Sequence, residues 1–415
     1  MNNPLNLSRD YAESTNRIFS CLGYPGLDVR YVGGCVRDHL INLSINDIDI
    51  ATPDTPDEVI RKLNNQKIQY TTFGKDHGSI KAIIKNYTFD ITSLRKDHLC
   101  DGRHAIVEYT NSWLDDAKRR DFTFNAISMS PSGELFDYFN GKEHIKEGNV
   151  KFIGDARDRI QEDFLRILRF FRFISLYGKN SIDPSLLSLC KEFSWGLERV
   201  SAERITSEIS KILGSENPIN VIYQMKSYKI LDTIFGKYFK IGGLENLINS
   251  EKKYLDTSYK HVSWHLRLAS ILSYKQIIDS PNIILSNTDK ILIRDIFNAS
   301  AMISKVIDCR NQNPSLYDYL YKYGKESFAY HGFLLANSQH GNPSDHLWPD
   351  FLKKIISYKH LEFPFKAKDL INLGFEEGKH LGDELRYLEN LWVNSGFRMT
   401  SREIREQLDR RKNKP

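Results

Sequence analysis

Two hydrophobic textures meet near residue 150 of this chain. Before that point, short runs rich in Val, Ile, Tyr, Phe and Thr are bounded by Gly, Asn and Asp: VRYVGG, DIDIAT, SIKAIIKN, YTFDITSL, AIVEYT and GELFDYF. That composition and punctuation predict strands. A helix is expected over 55–63, after the turn at Pro53. Beyond residue 150 the apolar positions recur at helical spacing, first over 160–175 and then over 202–213. The rest is rich in Leu, Ile, Tyr and Lys, in helix-length stretches split by Asn, Gly and Pro. The pattern predicts an α/β or α+β head followed by helices, with no fixed-period repeat.

Length then sets the scale. A chain of 415 residues exceeds one ordinary core, so two to four domains are expected. Hydrophobic residues make up 40% and charged residues 27%, ordinary for a globular protein. No apolar run approaches the ~20 residues a membrane helix needs. The start, MNNPLNLSRDYAES, lacks a basic-then-apolar signal pattern, so the cytoplasm is the expected compartment. The five cysteines are scattered without C-x-x-C spacing, which points to buried thiols rather than disulfides or zinc. A net charge of +5 tolerates a polyanionic partner without requiring one.

Candidate chemistry begins at Asn46-Asp47-Ile48-Asp49-Ile50. On a strand, period two sends both carboxylates to one face and both isoleucines to the other. Two close carboxylates repel unless a cation lies between them, and hard oxygen ligands suit Mg²⁺. A D-x-D by itself is also the mark of a solvated strand edge. Upstream, Tyr31-Val32-Gly33-Gly34-Cys35-Val36-Arg37-Asp38 reads as strand, Gly-Gly turn, helix. Such a turn lets a phosphate approach the backbone, and Arg37 adds a guanidinium fork. Asp90, on another expected strand, is either a third metal-facing carboxylate or an ordinary surface acid.

These residues carry a resemblance. VGGCVRD followed by DIDIAT resembles the first motif of the class II tRNA nucleotidyltransferase and bacterial poly(A) polymerase family. RRDFTFNA from Arg119, EDFLRILRFFRF from Glu162 and SAERI from Ser201 resemble three further motifs, in the same order. The stretch LRKDHLCDGRHAIVEYTNSWLDDAKRRDF is similar to CCA-adding enzymes of the alphaproteobacterial and mitochondrial branch. AKDLINLGFEEGKHLGDELRYLENLW more weakly resembles the family's C-terminal RNA-contacting segment.

The resemblance implies an α+β protein: a nucleotidyltransferase palm with a mixed sheet over 1–150, then a helical neck (151–215), body (216–360) and tail (361–415). It implies CTP and ATP as substrates, tRNA as partner and Mg²⁺ on Asp47 and Asp49. Gly34, Arg37 and Arg120 are expected at the triphosphate, with Arg119 nearby and Asn125 ordering the site. Asp121 is expected to pair with Arg37 or Arg120. The polar segment 94–104, with Arg95, Asp97, Asp101, Arg103 and His104, resembles the loop that switches the pocket from CTP to ATP.

On one helix, Asp163, Arg166, Arg169 and Arg172 would descend a single face. That is either a solvated charged face or, as the resemblance implies, a base-reading edge. Asp163 accepts from an exocyclic amino group and Arg166 donates to a ring nitrogen, which admits cytosine and adenine. Uracil and guanine would leave buried polar groups unpaired, at about 1–3 kcal/mol each. Arg169 and Arg172 then fall to ribose or triphosphate. The rivals are a poly(A) polymerase, a CC-only enzyme and, from another class, a non-catalytic RNA-binding scaffold.

Overall fold

The computed structural model describes residues 3–98, 106–179, 182–254, 263–308, 316–324, 328–340 and 347–412. Packing divides the chain into two compact units, 1–234 and 235–415.

The first unit is built on seven strands. These are β1 (Arg30–Val32), β2 (Ile48–Thr52), β3 (Gln69–Thr71), β4 (Ser79–Ile84) and β5 (Tyr87–Ser93), with β8 (Ser128–Met129) and β9 (Leu135–Phe136). The order is β3-β4-β5-β2-β1-β8-β9. Only β2 and β5 run parallel, so the sheet is mixed as expected. A hairpin, β6 (Arg95–His98) with β7 (Ile106–Tyr109), stands apart from it. Three strands, β3, β6 and β8, lack the long apolar runs that marked the others. GELFDYF yields only the two residues of β9.

Alternation along β2, β4 and β5 separates the two faces of the sheet. Ile48, Ile50, Ile80, Ala82, Phe89 and Ile91 are buried. Helices α1 (Arg9–Leu22) and α3 (Pro56–Asn65) pack on one another and on these strands, burying Ile18, Phe19, Leu22, Val59 and Leu63. The α3 start is fixed by a capping box in which Thr55 and Glu58 satisfy each other's backbone N–H. Asp49, Asp90 and Lys81 take the other face, in register: Asp49 beside Asp90, and Lys81 opposite Asp90. Short α2 (Gly34–Leu40) follows β1.

Along the chain there follow α4 (Trp113–Lys118), α5 (Gly141–Glu147), α6 (Ala156–Glu162), α7 (Leu165–Tyr177), α8 (Pro184–Glu192) and α9 (Ala202–Leu213). The helix expected over 160–175 is in fact two. Asp163 is extended (φ −154°, ψ 104°), and its Oδ1 accepts from Leu165 N at 3.1 Å, starting α7 afresh. The Phe164 ring lies so close to Gly196 that a Cβ there would fall 2.1 Å from it. Capping by Asp163 and this tight seat together explain the break, which no apolar period reveals. Rings of Phe122 and Phe124 each pack edge-on against Phe173, 5.1 Å between centroids, and so fix α7 against the turn at 123–125.

Among the described residues the second unit is helical. One core gathers Leu247, Ile296, Phe333 and Ile355, among others; a second gathers Phe365, Leu388, Trp392 and Leu408. No described helix is long and apolar enough to cross a membrane.

Candidate active site

The site face of the sheet, the Gly-Gly turn and α7 enclose a cleft of about 460 Å³. Its lining holds seven arginines (37, 119, 120, 166, 169, 172 and 204) against three aspartates (49, 121 and 163). Asp38, Asp116, Glu162 and Glu208, which pair with several of these arginines, are not in the lining, so guanidinium groups dominate the surface that a polyanion would meet.

The acidic corner is built by β2. Ile48 and Ile50 anchor the strand, and Asp47 sits exposed one residue before it. Burial first, then the neighbouring Asp90 and Asp47 carboxylates, push the Asp49 carboxyl up to about 6, while Arg120 and Lys81 pull it down. The part of this shift that comes from the neighbouring carboxylates is a negative field, which a cation placed between them would relieve. Asp90 itself accepts from Lys81 Nζ at 3.0 Å. Among the described residues no three His, Cys, Asp or Glu side chains form a metal cage. Two carboxylates would leave most of a divalent ion's shell to water and substrate oxygens. Gly33 opens this corner: φ is +69°, and a Cβ would lie 3.4 Å from Asp49 Oδ2.

The basic wall is a hydrogen-bonded array. Arg37 donates through Nε and Nη2 to Asp38 at 2.8 and 3.0 Å, and through Nη1 to Asn125 Oδ1 at 2.9 Å. Asn125 Nδ2 donates to Asp121 Oδ1 at 2.9 Å, and Arg169 Nε to Asp121 Oδ2 at 2.6 Å. Burial would raise Asp121, yet Arg169 and the Asn125 and Phe122 donors hold its carboxyl below the usual range. The expected pairing of Asp121 with Arg37 or Arg120 is corrected here. Asp121 faces α7 and takes Arg169, whereas Arg120 turns to Asp116 at 3.0 Å.

Asp163 and Arg166 both reach the cleft, but not as successive steps down one helical face. Asp163 caps α7 and receives Arg204 from α9 at 2.7 Å. Arg166 donates to Glu162 at 2.6 Å and to the Arg159 carbonyl at 3.0 Å. Arg172 pairs at 2.6 Å with Glu208 of α9. Burial, together with nearby Arg169 and Arg37, nonetheless depresses its guanidinium.

Arg103 lies outside the described residues, as does most of the 94–104 segment. Four participants escaped the sequence reading: Asp116, Glu162, Arg204 and Glu208. Asp116 and Glu162 had a signal, since they stand three or four residues before the arginines they hold. Arg204 stands in the SAERI motif, which gave it no role, and Glu208, which acts between helices, had no signal at all.

Comparison with known proteins places the chain among relatives. Residues 29–151 match the family described as the poly A polymerase head domain. Residues 181–240 match one described as the probable RNA and SrmB-binding site of polymerase A. The human mitochondrial CCA tRNA nucleotidyltransferase 1 is 32% identical over 395 residues, covering 91% of this chain and 85% of that protein. The chain belongs to the class II tRNA nucleotidyltransferase and poly(A) polymerase family. Within this family, the CCA-adding enzyme of Staphylococcus epidermidis is 27% identical over 415 residues, 97% of this chain and 99% of that one. The fold matches the CCA-adding enzyme of Bacillus stearothermophilus, solved with CTP, at a TM-score of 0.71 and 23% identity over 100% of both chains. It also matches the Thermotoga maritima CCA-adding enzyme, solved with tRNA, at 0.64 and 21% identity, over 98% of this chain and 97% of that one. Family membership implies a divalent metal, which the acidic pair suits.

Proposed function

We propose that this chain is a tRNA nucleotidyltransferase that adds C, C and A to the tRNA 3′ end from CTP and ATP, without a nucleic-acid template. The observation that carries the reading is the cleft lining, which sets an arginine-rich wall beside Asp49, with Asp90 in register next to it on the sheet. In this reading Asp47 and Asp49 hold Mg²⁺, with Asp90 as a neighbouring anion. Bound there, the ion would supply charge neutralisation at the transferring phosphate and a lower pKa for the attacking 3′-hydroxyl.

The chain's own groups do the rest. Gly33 and Gly34 let the triphosphate approach the turn, and Arg37, Arg119, Arg120, Arg169 and Arg172 meet its oxygens. Asn125 ties Arg37 to Asp121 and so fixes their spacing. Asp163 and Arg166 read the base edge. A carboxylate offers about four lone-pair sites. The bonds from Leu165 N and Arg204 therefore orient Asp163 without exhausting it. Residues 1–150 form the catalytic head, 151–215 the neck, 216–360 the body and 361–415 the RNA-contacting tail. The setting is cytoplasmic, which cell fractionation tests.

The deciding experiment incubates the full chain with tRNA lacking CCA, plus CTP, ATP or both. Two cytidines followed by one adenosine are expected, with EDTA stopping extension and Mg²⁺ restoring it. Long A tracts from ATP alone would make it a poly(A) polymerase, and a stop after two cytidines a CC-only enzyme. Undiminished extension by the Asp47→Asn/Asp49→Asn variant would remove the acidic pair from the chemistry.

A further inference from the structure

Asp116 has no place in the proposed chemistry, yet its carboxylate accepts from three residues beside the cleft. It lies on α4 and is only 2% exposed. Its Oδ1 accepts from Arg119 Nε at 2.8 Å and Nη2 at 2.7 Å. Its Oδ2 accepts from Arg120 Nε at 3.2 Å and Nη2 at 3.0 Å. One buried anion thus grips the Nε–Nη2 edge of two consecutive arginines, one carboxylate oxygen to each, and two donors on one oxygen restrain the plane of each guanidinium.

What that grip aims at follows from the far ends. Arg120 Nη1 donates to the Asn125 carbonyl at 3.1 Å, and it would lie 3.6 Å from a Cβ placed on Gly33. The same imagined Cβ would lie 3.4 Å from Asp49 Oδ2. Arg120 therefore presents its outer end at the turn, next to the acidic pair. The Arg119 carbonyl accepts from Arg166 Nη2 at 3.3 Å, so the segment that Asp116 anchors also touches α7. Anchoring extends the other way as well. Asp116 Oδ1 accepts from Arg95 N at 3.4 Å, and Asp115 takes Lys96 Nζ at 2.9 Å, so α4 holds the first two residues of the β6–β7 hairpin.

Charge makes this arrangement necessary. Two adjacent guanidinium groups, each with a side chain 17% exposed, repel one another in a place water barely reaches. One carboxylate between them leaves the trio with a single net positive charge. That charge remains available to an anion while both planes stay fixed. Burial would raise the Asp116 carboxyl, but Arg120 and Arg119 hold it below the ordinary range, so it stays ionised.

We infer that Asp116 is a positioning residue for nucleoside triphosphate binding, acting through Arg119 and Arg120 on the phosphates of CTP and ATP alike. The inference rests on the nucleotidyltransferase reading above. The test uses steady-state extension of CCA-lacking tRNA by the full-length wild type, Asp116→Asn and Asp116→Glu. Thermal unfolding is followed in parallel. Wild-type extension establishes the underlying reading separately; its absence would sink that reading and leave Asp116 a separate question of nucleotide binding, read by titrating CTP onto the protein.

In Asp116→Asn, KM for CTP and for ATP should rise together by about tenfold, the weight of one well-placed charge-assisted hydrogen bond. KM for tRNA and kcat at saturating nucleotide should stay within about twofold. Asp116→Glu keeps the charge and should recover part of the KM. A lower kcat with unchanged nucleotide KM overturns the inference, because a purely structural carboxylate changes the fraction of active enzyme. Loss of folding in both variants also overturns it and assigns Asp116 to stability alone.

Discussion

Replacing Glu208 with alanine strands a cation inside the first unit. Glu208 and Arg172 have side chains only 5% and 13% exposed, and their charges meet at 2.6 Å. Arg172 lies on α7 with Arg169 and Arg37 nearby, both of which disfavour its charge. Once Glu208 is gone, the guanidinium keeps the repulsion and loses its counter-charge. Removing one partner of a buried pair costs about 3–5 kcal/mol. Partial access of water to Arg172 argues for the lower end, about 3 kcal/mol. For a unit of this size, about 2–4 °C of Tm follows each kcal/mol, so a fall of roughly 6–12 °C is expected.

Calorimetry on the full-length chain reads this, with the first-unit transition identified by its response to CTP. A triphosphate bound in the cleft returns negative charge to the arginine wall, so CTP should stabilise Glu208→Ala more than wild type. The double variant Glu208→Ala/Arg172→Met should recover most of the loss, since no charge is then stranded. A Tm change below about 1 °C in Glu208→Ala would refute the reasoning. So would a double variant as unstable as the single one, which would mean that lost packing and not lost charge was decisive.

Gly33→Ala should lose at least tenfold in nucleotide addition, because a non-glycine at φ +69° carries strain of about 1–3 kcal/mol at the turn beside Asp49; activity near wild type would show that the turn tolerates a side chain. Asp163→Ala should widen nucleotide choice, with UTP or GTP incorporation rising relative to CTP, and unchanged selectivity in single-nucleotide extension would contradict the base-reading role. Burial first, then the charge of His265, lowers His331 to about 4, below its unfolded value of 6.5. The unfolded chain then binds more protons between these values, so stability of the second unit should be full above pH 6.5 and fall as pH drops towards 4, by up to about 3 kcal/mol. His331→Phe should flatten that slope in urea titrations, and an unchanged slope would place the sensitivity elsewhere.

Local chemistry was legible along the chain. Runs of Val, Ile, Tyr, Phe and Thr bounded by Gly, Asn and Asp marked β2, β4 and β5, the turn at Pro53 marked the approach to α3, and 202–213 matched α9 residue for residue. Period two was enough to send Ile48 and Ile50 inward and to keep Asp49 facing its neighbours across the strand. Motif order pointed to the family because each motif is a short contiguous stretch with its own backbone geometry. Pairing was not legible. Asp121 has one negative charge and several arginines within reach of the same turn; only the packing of Phe122 and Phe124 on Phe173 decides that Arg169 receives it. The break at Asp163 depends on Gly196, more than thirty residues later, leaving room for Phe164. Glu208 meets Arg172, and Arg204 meets Asp163, only because α9 lies against α7. Sequence fixes what each residue can donate, accept or bury within one turn or strand. Which of several equivalent charges it meets is a matter of distance, and distance between separate elements is set by the core.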